Sequence, residues 1–233
     1  MNGGIGTLSE KTIHSTLKFH YAPDEKYHEI PIGSYVADIC VDGEITEIQT
    51  RQFNVMRDKL NAFLPEHEVT IVHPVARDKW LRYINPLTGE ISERKKSPKK
   101  GSIYSIMPEL YKIKPFLLNP HLHFTVCLLE VEETRFLNPK GPNPKRGTVR
   151  NDGTPLQIYS EYSFDLESGY EQFLPPNLPT PFTSADLKSL AHISLDLSVV
   201  TLNILTHVGL VRRIGKKGKS YLYECNRIFP NRG

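Results

Sequence analysis

The chain has 233 residues, of which 39% are apolar and 24% charged, with a formal net charge of +3 at pH 7. With a single Trp, this composition is the one expected of an ordinary soluble protein. No apolar run approaches the roughly 20 residues of a membrane-spanning helix, so no membrane contact is expected. So small a charge names no partner, but the basic residues gather in two short stretches, and that clustering is informative.

The start, "MNGGIGTLSEKTIHS", has neither the basic residues nor the apolar stretch of a secretory signal. Cys40, Cys127 and Cys225 are odd in number and far apart, which argues against a disulfide framework or a zinc site. A reducing cytoplasm is the expected setting. Residues 9–21 read as a helix with Ser9 as N-cap and Ile13, Leu17 and Tyr21 along one face. A short extended piece at "HEIPIG" precedes two strands, "SYVADICV" and "EITEIQT", joined by Asp42-Gly43, a type I′ hairpin signal. "RQFNVMRDKLNAFL" places Phe53, Met56, Leu60, Phe63 and Leu64 on one helical face and stops before Pro65.

Beyond it, "VTIVHPV" is a short buried-strand pattern, and residues 79–92 read as a hairpin turning at Pro86 to Gly89. The basic loop "ERKKSPKKGS" leads to a helix over residues 103–117 with Pro108 in its first turn. "HLHFTVCLLEVEETRFL" is the longest strand candidate, and residues 138–155 have the Pro, Gly and Lys density of a loop or insert. The order of elements predicts an α/β core with a mixed sheet. Four prolines in residues 174–183 predict a stiff linker between a domain at 1–173 and another at 184–233. In the last segment, helix, turn, helix and a hairpin tipped by "GKKGK" make the pattern of a winged helix-turn-helix. Leu187, Leu190, Ala191, Leu202, Leu205, Val208, Leu210 and Val211 are its expected core, with Ser194 capping the second helix and Gly209 ending it.

The acidic residues of the predicted hairpin carry the chemistry. Asp38 and Glu47 lie on neighbouring strands, so their carboxylates can converge, and two converging carboxylates are costly unless a positive charge sits between them. A hard divalent cation such as Mg2+ (or Mn2+) solves this with oxygen ligands, water and substrate phosphate. The competing reading makes both residues solvated positions of a half-exposed hairpin, as Asp42 and Glu44 are. His14 and His20 suit helix packing as well as ligation. His121 and His123 share one strand face, which suits a transition metal or an ordinary strand edge.

At Asp38, Glu47 and Gln49, with Ile48 between, the sequence resembles the PD-(D/E)XK nuclease superfamily. Its sites carry an Asp at a strand end, then Glu, any residue and Lys on the next strand. Gln49 stands where the superfamily has Lys, and "EIQT" after a helix containing "HSTLK" looks most like the competence-protein CoiA group. The resemblance covers roughly residues 9–75 and implies a restriction-endonuclease-like core that hydrolyses DNA with Mg2+. On that basis Asp38 and Glu47 hold the metal, the Ile48 carbonyl completes its shell, and Glu10 supports it through water. Gln49 orients the attacking water but cannot deprotonate it as Lys can. Lys18 is placed to contact a phosphate or replace the missing Lys, and Arg51 to lie near a bound phosphate. The two-domain order also resembles bacterial proteins for which the likeness implies a fold and no substrate.

Two basic stretches are expected to follow a DNA backbone, namely Arg94, Lys95, Lys96, Lys99 and Lys100 in the loop, and Arg212, Arg213, Lys216, Lys217 and Lys219 in the wing. The loop reads equally as a solvated turn. The second helix of the last segment presents Asp196, Leu197, Val199, Val200 and Asn203 outward, an apolar face poor in base-reading side chains. Backbone contact through the wing is therefore the expectation, and the apolar face predicts packing on the first domain or on a second copy, as in a homodimer. Two rivals to a nuclease remain: a DNA-binding or regulatory protein with an inactive core, and a protein-interaction module.

Overall fold

The computed structural model describes residues 8–138 and 148–226. The fold is α/β with a mixed sheet. Two compact units alternate along the chain: Met1–Thr50, Val72–Ser102 and Val126–Tyr162 in the first, and Arg51–Ile71, Ile103–Thr125 and Ser163–Gly233 in the second. Residues 174–183, read above as a linker, lie within the second unit. Among the described residues no single helix is long and apolar enough to cross a membrane.

In the first unit, α1 (Leu8–Tyr21) begins one residue before the expected cap, so Ser9 falls in its first turn. The four-residue spacing of Ile13 and Leu17 buries both, and they pack with Ile39, Ile48, Val72, Cys127, Leu129 and Val131 of the sheet. Leu17 is fully buried, and Leu17→Ala is expected to cost about 3 kcal/mol. Strands β1 (His28–Ile32), β2 (Tyr35–Val41) and β3 (Glu44–Ile48) follow one another antiparallel. Asp42 and Gly43 between β2 and β3 have φ of 50° and 89°, the two positive values that the Asp-Gly turn requires.

The sheet order is β1-β2-β3-β4-β6-β7, where β4 is Val69–Ile84, β6 Leu122–Phe136 and β7 Val149–Phe164, and β5 (Lys95–Lys96) pairs with β4. The Val69 N–H donates to His121 O and the Leu137 N–H to Ile84 O. Both ends of β4 and β6 thus match in the same sense, which makes this pair parallel, whereas β1–β2, β2–β3 and β4–β5 are antiparallel. Two expectations are corrected here. "VTIVHPV" and the first arm of the 79–92 hairpin form one 16-residue strand, within which Pro74 removes only one donor from the ladder. Residues 149–155, expected in a loop, open β7, while residues 139–147 lie outside the described residues. Gly153, within that expected loop, is buried in the strand, and a Cβ there would lie 2.7 Å from the Arg150 guanidinium. It marks a close approach instead.

In the second unit, a 3-10 turn at Phe53–Met56 runs into α2 (Arg57–Phe63) and buries Phe53, Met56, Leu60 and Phe63. Gln52 gives that start no side-chain cap, and the Glu109 carboxylate accepts the Phe53 N–H at 2.9 Å instead. The helix expected over 103–117 is three pieces, a 3-10 turn at Ile103–Ile106, α3 (Met107–Lys112) and a second 3-10 turn at Lys114–Phe116. Pro108 sits in the first turn of α3 and Pro115 in the last 3-10 turn, so each proline opens a fresh helical piece. A short α4 (Leu166–Gly169) leads to Tyr170 and Phe173, which pack with Phe164 at ring distances of 5.1 and 5.0 Å.

Helix α5 (Ser184–Ala191) starts on a capping box in which Thr183 and Asp186 each accept the other's backbone N–H. Ser194 caps α6 (Leu195–His207), whose chain leaves through Gly209 at φ 86° into the hairpin β8 (Val211–Lys217) and β9 (Ser220–Cys225). Of the expected core, Leu187, Leu202, Leu205, Val208, Leu210 and Val211 are buried, but Leu190 is exposed. Helix α6 packs against α5 and α3, while Asp196, Val199 and Asn203 face outward.

Candidate functional site

The register of β2 and β3 pairs Ile39 with Thr46, Cys40 with Ile45 and Val41 with Glu44. One step further from the turn, Asp38 faces Glu47, and here side chains replace the backbone ladder. The Asp38 N–H donates to Glu47 Oε1 at 3.3 Å, and the Ile48 N–H donates to Asp38 Oδ2 at 2.8 Å. Each carboxylate is therefore held by the backbone of the opposite strand, and the two converge. His14 of α1 reaches the same Asp38 oxygen through Nε2 at 2.9 Å, a bond it donates when that nitrogen carries the proton. Glu47 is almost fully buried, at 3% exposure.

Gln49, one residue past β3, links it to β4. Its N–H donates to Val72 O and its carbonyl accepts from His73 Nδ1, both at 2.9 Å. Glu10 lies four residues before His14 on α1, hence on the same helical face, but its side chain is outside the described residues. The Lys18 ammonium is paired with the Glu29 carboxylate. Arg51 is exposed and belongs to the second unit.

The pair suits a hard divalent cation in donor chemistry. Two oxygen ligands converge, and Mg2+ often takes no more than one or two carboxylates. Asp38 and Glu47 are directly opposed like charges, which destabilise a strand pair on their own. Among the described residues, no group of three or more His, Cys, Asp or Glu is arranged to hold a metal. Such an ion would draw the rest of its shell from backbone carbonyl and water.

In the basic loop, the Lys96 ammonium lies 3.0 Å from the Asp78 carboxylate and the Lys100 ammonium 3.9 Å. The Lys96 contact and the nearby Lys100 and Arg77 charges hold the Asp78 carboxyl below its ordinary value against the opposing effect of burial. Arg94 stacks over the Trp80 ring at 4.5 Å, whereas Lys95 and Lys99 are exposed. In the β8–β9 hairpin, Arg212 pairs with Glu224, Arg213 lies 3.5 Å from the Tyr221 ring centre and Lys216 4.9 Å. Lys217 and Lys219 are exposed at the tip.

Sequence reasoning missed the partners of the paired histidines. Glu68 bridges His121 Nδ1 at 2.7 Å and His123 Nε2 at 2.8 Å, and Asp165 accepts from His123 Nδ1 at 2.9 Å. Burial opposes the charged imidazole, yet the two carboxylates raise the His123 pKa above its ordinary value. The histidine spacing was visible, but Glu68 and Asp165 are more than 40 residues away from His123. Burial pushes the Cys127 thiol up to about 12, so this cysteine is core and not a nucleophile.

Comparison with known proteins adds the following. The family model described as "Domain of unknown function (DUF8091)" matches residues 11–165, a span that contains Asp38, Glu47 and their partners. A protein of Treponema pallidum (strain Nichols), described as "Uncharacterized protein", is 27% identical over 232 residues, which cover 98% of this chain and 90% of the relative. No solved structure matches the chain.

Proposed function

We propose that this chain, which belongs to the DUF8091 family, is a divalent-metal-dependent deoxyribonuclease with a PD-(D/E)XK-like core, and that α5, α6 and the β8–β9 hairpin act as a winged helix-turn-helix on DNA. The observation that carries the reading is the exchange of hydrogen bonds that brings Asp38 and Glu47 to one point beside α1. Asp38 and Glu47 would hold Mg2+ or Mn2+, with the Ile48 carbonyl available beside them. The ion supplies electrostatic stabilisation of the phosphate and lowers the pKa of a bound water.

The chain's own groups prepare that site. His14 and the Ile48 N–H fix the orientation of the Asp38 carboxylate, and the Asp38 N–H does the same for Glu47. Gln49, anchored through its backbone to Val72 and His73, is placed by the resemblance to orient a water, and Glu10 to support the ion through water. The exposed Lys217 and Lys219 of the hairpin tip, with Lys95 and Lys99 of the loop, suit contact with a phosphate backbone and carry no base-reading geometry. A cytoplasmic setting fits these assignments.

A second reading, a DNA-binding or regulatory protein whose core no longer cleaves, has its own support. Position 49 carries Gln, and Lys18, the cation placed to replace the missing Lys, is already paired with Glu29. Cleavage of plasmid and single-stranded DNA with Mg2+ or Mn2+ separates the two. A nuclease gives metal-dependent products that fall at least 100-fold in Asp38→Asn. DNA binding without cleavage, unaltered by that substitution, supports the second reading and overturns the first.

A further inference from the structure

Glu133 is the most deeply placed carboxylate among the described residues of the first unit, with 1% exposure. It lies on β6, the strand between β4 and β7 in the sheet. Its neighbours on the same face are Lys79 from β4, Arg150 from β7 and Arg135 two residues along its own strand. Lys79 Nζ lies 2.9 Å and Arg150 Nε 3.4 Å from Glu133 Oε2, and Arg135 Nε lies 2.6 Å from Oε1. Burial opposes ionisation, but the Lys79 and Arg135 contacts together with the Arg150 charge hold the carboxyl below its ordinary value.

One cation balances one carboxylate, and here there are three. Each has Glu133 as its carboxylate partner, so among the described residues the cluster carries two positive charges in excess. The cost of gathering three cations is offset only in part by a single anion. The three heads are not buried with Glu133, since their side chains are 30 to 41% exposed. Both arginines turn the Nε edge inward to Glu133, which leaves their terminal nitrogens for other acceptors, and the Arg135 Nη1 reaches the Thr148 hydroxyl at 3.5 Å. The seat of Arg150 is also shaped for it. Gly153 is buried beneath the guanidinium, and any Cβ at that position would meet Nη2 at 2.7 Å.

We infer that Lys79, Arg135 and Arg150, oriented by Glu133, form a binding site for a phosphate dianion. A terminal phosphomonoester has close to two charges at neutral pH and three acceptor oxygens, which matches the excess charge and the number of cationic heads. Arginine pairs suit such a group because their planar forks meet its oxygens two at a time. The site shares no residue with the Asp38–Glu47 pair. Two sources share this chemistry, free phosphate and the 5′-phosphate of a nucleic-acid end.

The test is calorimetric titration of the full chain with inorganic phosphate, and with a short single-stranded oligodeoxynucleotide bearing a 5′-phosphate or a 5′-hydroxyl. Saturable binding of phosphate that weakens about tenfold or more in Arg150→Gln and in Arg135→Gln is expected. Lys26→Gln, which removes an exposed cation of the first unit outside the cluster, should leave it unchanged. Tighter binding of the 5′-phosphate strand than of the 5′-hydroxyl strand identifies a nucleic-acid end as the source, and equal binding of the two strands with retained phosphate binding identifies free phosphate. Absence of saturable binding of inorganic phosphate and of the 5′-phosphate strand by the wild type overturns the proposal, as does an equal loss in Lys26→Gln.

Discussion

Glu47 and Glu133 are both nearly inaccessible carboxylates of the first unit, at 3% and 1% exposure, yet they are surrounded by opposite kinds of group. Glu47 takes a backbone N–H at a place where the β2–β3 ladder gives way to side chains, and it faces the carboxylate of Asp38. Glu133 takes three cationic side chains from three adjacent strands. A carboxylate can leave water on either set of terms. The first arrangement offers converging oxygen ligands that suit the proposed cation, and the second leaves room for an anion.

The largest expected effect comes from removing Glu133. Glu133→Leu leaves three cations crowded without their counterion and should lower stability by about 2 kcal/mol in urea unfolding. That lies below the loss for a fully buried pair, because Lys79, Arg135 and Arg150 keep contact with water. A loss near zero would place the cations far enough apart to be solvated one by one. Next in size is Asp38→Ala, which takes the acceptor away from the Ile48 N–H and His14 and should cost about 1 to 2 kcal/mol. Asp38→Asn keeps an oxygen for the N–H and should cost less than half as much, while abolishing divalent-ion binding as fully as Ala does. Similar losses in the two variants would mean that charge, and not the hydrogen bond, holds this end of the hairpin.

The features that sequence revealed and those it hid divide along the same line. Asp38 and Glu47 are nine residues apart on either side of an Asp-Gly turn, and local turn chemistry was enough to predict that they face each other. Pro108, Ser194 and Gly209 were legible for the same reason, since each acts within one helical turn. Glu133 was not legible, because its cations arrive from residues 79 and 150 as well as from its own strand, and Val149–Phe164 itself was partly mistaken for loop on account of the Pro, Gly and Lys density that ends at Gly153 and Pro155. The contact of His14 with Asp38 joins a helix to a strand 24 residues on, and only the packing of Ile13 and Leu17 on the sheet determines it. The capping box at Thr183 and Asp186 was legible in "TSAD" but passed over.

Smaller effects sharpen the comparison through pH. The Glu133 pKa is lowered on folding, so its contribution is complete above the ordinary value of 4.5 and is lost as pH falls through the lowered one. Glu133→Gln should therefore flatten the acid side of the stability profile below about pH 4.5. His123 in the second unit has the reverse sign. Its pKa is raised, so its pairing with Glu68 and Asp165 stabilises below the ordinary 6.5 and fades as pH rises through the raised value. Proton NMR of the imidazole in wild type and Asp165→Asn should show the midpoint falling in the variant. The smallest change is Gly153→Ala. Its new methyl would crowd the end of the flexible Arg150 side chain and touch Val131 at an ordinary contact distance, so stability should shift by less than about 1 kcal/mol while phosphate binding weakens.

The most direct test of the central claim, that Asp38 and Glu47 form a cation site, is calorimetric titration of Mg2+ and Mn2+ into wild type and Glu47→Gln, each shown to be folded by circular dichroism. Saturable binding in the wild type, weakened at least tenfold in the variant, is the predicted result. A folded wild type that binds neither ion, or a Glu47→Gln protein that binds as well as the wild type, would contradict it and leave the two carboxylates as caps of an opened strand pair.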